Sequence, residues 1–159
     1  MTGAPAALEM RNVSKTFETR HGPFGLLGRR RVRAVDDVSL AVARGRTLCL
    51  VGESGCGKTT IGRMAVRLVA PDSGSIRIDG DDITRLRGEA LRRRRQRVQM
   101  VFQDPFASLN ARMTAAAIVA ETLDNFAIGD PAGRRRAVER LFERVGLPRF
   151  MLDRLPHNL

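Results

Sequence analysis

Apolar and polar positions alternate along two early stretches of the chain, residues 8–17 and 35–42. In the second, Val35, Val38, Leu40 and Val42 fall at near-strand spacing, and Arg44-Gly45 follows as a turn. Side chains on a strand change face at every residue, so this rhythm predicts half-buried strands in an antiparallel meander. Between them, 18–33 is rich in Gly and Arg and predicts a surface loop. Thr47-Leu48-Cys49-Leu50-Val51 is a short apolar run that predicts a buried strand, with Cys49 as a small core residue.

The rhythm then becomes helical. Ile61, Met64, Ala65, Leu68 and Val69 share a helical spacing, and Pro71, Asp72 and Gly74 are positioned to end that helix. Ser75–Asp79 predicts a short strand closed by Gly80, residues 86–97 a basic amphipathic helix, and Val98–Phe102 another strand. Gln103–Asn110 is a polar, Pro-containing loop. From about residue 113, Ile118, Val119, Thr122, Leu123 and Phe126 fall on one helical face. Gly129-Asp130-Pro131 breaks that helix. Val138, Leu141, Phe142 and Val145 mark the next, with Gly146 as its C-terminal stop. The order of elements predicts an α/β fold.

The chemistry is concentrated at Gly52-Glu53-Ser54-Gly55-Cys56-Gly57-Lys58-Thr59, which fits G-x-x-x-x-G-K-[ST], the phosphate-binding P-loop. Glycines let successive backbone N–H groups point at one anion, and the following helix adds the positive end of its dipole. Lys58 is placed to reach the β- and γ-phosphates, and the Thr59 hydroxyl to sit on Mg²⁺. The pattern arises by chance in roughly one chain in several hundred, and it lies here between a predicted strand and a predicted helix, as the motif requires.

Composition adds less. With 159 residues and 43% apolar residues, the chain suits one globular domain. No apolar run approaches the roughly 20 residues that span a bilayer, and Met1–Met10 lacks the order of a signal peptide. The net charge is +11, and all but two of the 28 basic residues are arginines. The Arg clusters are scattered, with few aromatics between them, which favours solvated faces over a nucleic-acid groove. The two cysteines match no zinc spacing, and His21 and His157 suggest no metal site.

Four stretches resemble the ATP-binding subunit of an ABC transporter, most closely the oligopeptide/dipeptide importer group. They are Ala34–Ser39, Val51–Thr60, Val101–Asn110 and Leu155-Pro156-His157. The resemblance runs from about residue 8 to residue 159. It implies the N-terminal portion of an ABC-type P-loop NTPase. An antiparallel β meander and P-loop core over about 8–110 would lead into the start of a helical subdomain over about 111–159. The C-terminal half of the core would be missing.

The resemblance also implies site roles. Gly52, Glu53, Ser54, Gly55, Cys56, Gly57, Lys58, Thr59 and Thr60 would contact the phosphates of ATP and its Mg²⁺. Gln103 would meet Mg²⁺ or the attacking water, and so stand with Lys58 as catalytic and with Thr59 as a metal contact. Phe17 matches an aromatic that stacks on adenine, although it also suits an ordinary strand position. The implied partners are transmembrane permease subunits and a second ATP-binding subunit, on the cytoplasmic face of the membrane, with no nucleic acid. The signature motif, the Mg²⁺-binding Asp, the catalytic Glu and the switch His of the family would follow Leu159. A chain without them is expected to bind ATP but not to hydrolyse it alone. A small P-loop kinase and a basic nucleic-acid-binding module stand as alternatives.

Overall fold

The computed structural model describes residues 6–20, 29–104 and 108–158. Pro105, Phe106, Ala107 and Leu159, and residues 21–28 of the predicted loop, lie outside them. The chain forms two compact units, Met1–Gln99 and Met100–Leu159.

The first unit is built on a four-stranded antiparallel sheet. Its strands are β1 (Leu8–Arg20), β2 (Arg29–Val42), β3 (Ser73–Ile78) and β4 (Asp81–Asp82), in the order β2-β1-β3-β4. The meander is longer than the alternation predicts, since β1 and β2 take in residues 18–20 and 29–33 of the presumed loop. Their polar cross-strand pairs, such as Glu18 with Arg31 (2.9 Å), carry the ladder beyond the apolar stretch.

Two bulges set which residues face inward. Met10 and Val13 are both buried although three apart, as are Val35 and, partly, Val38. Strict alternation would put one of each pair on the outer face. The pairing register shifts between Met10 and Val13, where Asn12 has φ 49°, and Asp37 on the facing strand also has φ 49°. Each shift resets the phase. Side chains lock the paired irregularity. Asn12 Nδ2 donates to Asp37 Oδ1 (3.0 Å), Asn12 N to Ser39 Oγ, and Asp37 N to Ser14 Oγ. Gly74 on β3 lies so close to the Arg11 and Asn12 carbonyls that a Cβ there would meet both at 2.4 Å.

The resulting core unites Met10, Val13, Val35, Ile76, Ile78 and Ile83 with Met64 of α1 (Lys58–Ala65). α1 ends earlier than Pro71 would dictate. Arg67, at φ 56°, terminates the turn beyond Ala65, and its buried guanidinium explains the position. Nε donates to the Ile83 carbonyl (3.0 Å) and an Nη to that of Leu86 (3.2 Å), closing the Asp82–Leu86 segment onto the end of α1. Burial holds the Arg67 pKa below the ordinary arginine value, and the nearby Arg95 and Arg87 add repulsion. The basic helix α2 (Gly88–Arg95) forms as predicted but buries no residue.

Two predicted strands are absent. Among the described residues, Thr47–Val51 and Val98–Phe102 pair with no strand. Cys49 is exposed rather than in the core, and Val51 and Val101 are each 89% exposed. An apolar run supplies a strand's side chains but not the neighbouring backbone its N–H and C=O groups need.

The second unit packs α3 (Ala115–Asn125) on α4 (Pro131–Arg144), with Ala115, Val138 and Phe142 buried. Caps fix both starts. Thr114 Oγ1 accepts from Ala117 N, and Asp130 Oδ1 from Gly133 N, with Pro131 at the first helical position. Gly146, at φ 76°, follows the end of α4. The inward face of α3 is Ala115, Ala116, Val119, Ala120 and Leu123, rotated from the predicted stripe. Small alanines allow closer approach than Ile118 or Phe126 would. Leu141 and Val145, expected to face inward on α4, are exposed. No described helix is long and apolar enough to cross a membrane.

Candidate functional site: a P-loop against the β-meander

Residues 52–57 make a turn-rich loop that opens directly into α1, with Lys58 as the first helical residue. The loop depends on left-handed glycines, Gly55 at φ 84° and Gly57 at φ 97°. Gly57 is also sterically confined. A Cβ there would lie 2.3 Å from the Ala34 carbonyl oxygen and 3.7 Å from Val35 Cγ2, so the end of the loop rests against β2. At Gly52 a Cβ would meet Cys56 Sγ at 2.8 Å, which keeps the mouth of the loop narrow.

The donor set suits an anion. Ile61 N makes the first helical bond, to the Gly57 carbonyl (2.9 Å). The amides of Gly57, Lys58, Thr59 and Thr60 find no acceptor among the described residues. These are the four orphan donors of a helix N-terminus, reinforced by its dipole. No carboxylate cap competes, since Gly57 has no side chain and the first turn is free of acidic residues. Lys58 Nζ donates to the Gly52 and Glu53 carbonyls (2.6 Å each) and lies 3.5 Å from Cys56 Sγ. The ammonium therefore sits within the loop and ties its two ends together. Glu53, Ser54, Cys56 and Thr59 are exposed, whereas Thr60 is half-buried.

A triphosphate fits this cradle: its charge matches four free amides and an ammonium, and its close approach needs the missing Cβ atoms. Mg²⁺ fits the same chemistry. It binds through few protein oxygens plus substrate phosphates, and Thr59 supplies an exposed hydroxyl on the first turn of α1.

Phe17 lies on β1, 38% exposed, directly across from the exposed Val32 of β2. Val32 precedes Ala34 by two residues, or about 7 Å of strand. The Phe17 backbone is thus one strand spacing and two residues from the point where β2 touches Gly57. Lys15 Nζ stands 5.6 Å from the ring centroid and donates to Asp72 Oδ1 (2.6 Å). That bond, with a second from Thr16 N to Oδ2 (2.7 Å), holds the Asp72 carboxyl below its ordinary pKa. Phe17 and Gly52–Thr60 thus both belong to the first unit and both adjoin β2, Phe17 by pairing with Val32 and Gly57 by its approach to the Ala34 carbonyl. Gln103 is exposed and belongs to the second. Sequence reasoning missed the supporting parts: the Ala34 carbonyl behind Gly57, Val32 beside Phe17, and Lys15 over the ring. The strand register alone could have paired Val32 with Phe17.

Comparison with known proteins agrees with this geometry. A family model described as ABC transporter matches residues 35–159. A probable peptide ABC transporter ATP-binding protein of Sinorhizobium fredii is 47% identical over 128 residues, covering 80% of this chain and 36% of that protein. A putative peptide import ATP-binding protein of Brucella ovis is 42% identical over 158 residues, covering 99% and 47%. The oligopeptide transport ATP-binding protein AppF of Bacillus subtilis is 46% identical over 155 residues, covering 95% and 46%. The chain thus spans less than half the length of these curated relatives. Among solved structures, the ATP-binding cassette MJ0796, in a dimeric post-hydrolysis state bound to ADP and Pi, matches with a TM-score of 0.75 at 24% identity, covering 96% of this chain and 62% of that one. A glycine loop with unspent amides, braced by an antiparallel meander and matched by that family model over most of its length, places the chain in the ABC transporter family.

Proposed function

We propose that this chain is the nucleotide-binding portion of an ATP-binding subunit that energises peptide uptake. The observation that carries the reading is the set of four unspent amides at Gly57–Thr60, with Lys58 Nζ held inside the same loop. The amides would take the phosphate oxygens, helped by the backbone of Glu53, Ser54, Gly55 and Cys56. Lys58 would exchange its bonds to the Gly52 and Glu53 carbonyls for the β- and γ-phosphates. Thr59 would hold Mg²⁺, which when bound neutralises charge on the phosphates. Gln103 would take the role the resemblance gives it, meeting Mg²⁺ or the attacking water. Phe17 would stack on adenine, with Val32 extending the platform.

The names of the relatives support peptides as the cargo. Permease subunits and a second ATP-binding subunit are the partners that follow, at the cytoplasmic face of the membrane. Family membership favours a transport ATPase over a small kinase. The resemblance assigns the catalytic Glu and the Mg²⁺-binding Asp to sequence outside residues 1–159. A preparation of these residues is therefore expected to bind MgATP without appreciable turnover, and sustained hydrolysis by contaminant-free protein would contradict that.

Calorimetric titration tests the binding. Lys58→Ala should weaken MgATP binding at least about tenfold, the equivalent of one lost charge-assisted contact. Its circular dichroism should match that of the parent. Equal affinities for parent and variant, or no uptake by folded parent, would remove the basis of the proposal.

A further inference from the structure

Phe17 does not stand alone on β1. Lys15, two residues earlier and so on the same face of the strand, places its ammonium 5.6 Å from the centroid of the Phe17 ring, within the range of a cation–π contact. The Lys15 side chain is only 17% exposed, so this cation is largely out of water, where its attraction to a ring counts for more. Its position is fixed. Nζ donates to Asp72 Oδ1 (2.6 Å), and Asp72 is itself tied to β1 through the backbone. Thr16 N donates to Asp72 Oδ2 (2.7 Å), and Asp72 N donates to the Ser14 carbonyl (2.9 Å). The segment that follows α1 therefore holds the ammonium, and the ammonium stands over the ring.

The pairing register places this group beside the phosphate loop. Lys15 faces Val35 and Thr16 faces Arg33, which leaves Ala34 as the extra residue of a bulge on β2. The Ala34 carbonyl is the one that backs Gly57. Lys15 and Phe17 thus occupy the stretch of β1 that lies across from the bulge. An exposed aromatic residue on a strand has two common χ1 wells, so an unrestrained ring has to be ordered when a ligand lands on it. A cation held over one face removes that freedom in advance and leaves the other face for a base.

We propose that Lys15, held by Asp72, is a positioning residue for the nucleotide base: it fixes the Phe17 ring before the base arrives. The inference rests on the proposed stacking of adenine on Phe17 and adds the group that prepares the ring for it.

Calorimetric titration of the full 159-residue chain tests it, with MgATP and, separately, with magnesium tripolyphosphate, which has the phosphates but no base. Lys15→Met should weaken MgATP binding about threefold, the cost of ordering one free ring on binding, and leave tripolyphosphate binding unchanged. Lys15→Arg keeps a cation that can pair with Asp72 and lie on a ring, and should recover most of the loss. In a Phe17→Ala background Lys15→Met should add nothing, because the ring through which it acts is gone. The chain has no Trp, so Phe17→Trp supplies a single fluorophore. Adding Lys15→Met to that variant should lower the anisotropy of the indole in the nucleotide-free chain. Parental MgATP affinity in Lys15→Met, alongside a weakened Phe17→Ala, would overturn the role of Lys15 and leave the stacking intact. Losses that add in the double variant, or equal losses for the two ligands, would make Lys15 a structural tie between β1 and the end of α1, and would equally overturn the proposal. Parental affinity in Phe17→Ala, or no uptake of either ligand by the folded parent, would instead refute the nucleotide reading, and the proposal with it. Thermal unfolding curves verify that each variant is folded.

Discussion

Substituting Gly57 by alanine separates the loop's conformational demand from its steric one. At φ 97°, any side chain incurs backbone strain of about 1–3 kcal/mol. The added Cβ would also meet the Ala34 carbonyl oxygen at 2.3 Å. Relief requires β2 or the loop to retreat by roughly 0.7 Å in a close-packed region, at a further cost of about 1–3 kcal/mol. Gly57→Ala should therefore destabilise the first unit by about 2–6 kcal/mol. Gly55 provides the internal reference. Its φ is 84°, but a Cβ there meets nothing within 4 Å, so Gly55→Ala should cost only the strain, about 1–3 kcal/mol. Gly74→Ala controls for the site: its Cβ would strike the Arg11 and Asn12 carbonyls at 2.4 Å, away from the loop. Urea denaturation followed by circular dichroism gives the stabilities, and titration of MgATP into the folded fraction gives the affinities. Gly57→Ala should lose both stability and affinity, whereas Gly74→Ala should lose stability alone. If Gly57→Ala proved no more costly than Gly55→Ala, the contact between the loop and β2 would have no energetic weight, and the account of how the meander positions the loop would fail.

Three further outcomes follow from named contacts. Phe17→Ala should weaken MgATP binding by about 1 kcal/mol, roughly fivefold, while Phe17→Trp retains it; an alanine variant with parental affinity would exclude stacking. Arg67→Leu leaves the Leu86 carbonyl without its donor and the Ile83 carbonyl with only the longer bond from Leu86 N (3.3 Å), and should cost about 1–3 kcal/mol in chemical denaturation. Lysine at that position should recover little, because one ammonium cannot span both carbonyls, and a loss under about 0.5 kcal/mol would show that water replaces the guanidinium. The Asp72 pKa is depressed in the folded chain by Lys15 and Thr16, so its stabilisation is fully present above the ordinary value of 3.8 and is lost as pH falls through the folded value. Acid titrations of stability for the parent and Asp72→Asn should converge below about pH 4, and parallel curves down to pH 2 would contradict the assignment.

The sequence by itself determined the parts whose physics is local. Gly52–Thr59 specifies a phosphate loop because glycine alone tolerates φ 84° and 97° and because the next residues begin a helix. Asp130-Pro131 and Gly146 bracket α4 through capping chemistry confined to a few adjacent residues. The tertiary structure decided whatever depends on a partner distant in the chain. Val35 and Val38 both face inward only because the bulge at Asp37 meets the one at Asn12, 25 residues away. The apolar runs at Thr47–Val51 and Val98–Phe102 carry the composition of strands. A strand is defined by hydrogen bonds to another backbone, however, and among the described residues none pairs with them. The confinement of Gly57 by the Ala34 carbonyl is of the same kind. The glycine is written in the motif, but the oxygen that requires it comes from a strand 23 residues earlier, and only folding brings the two together.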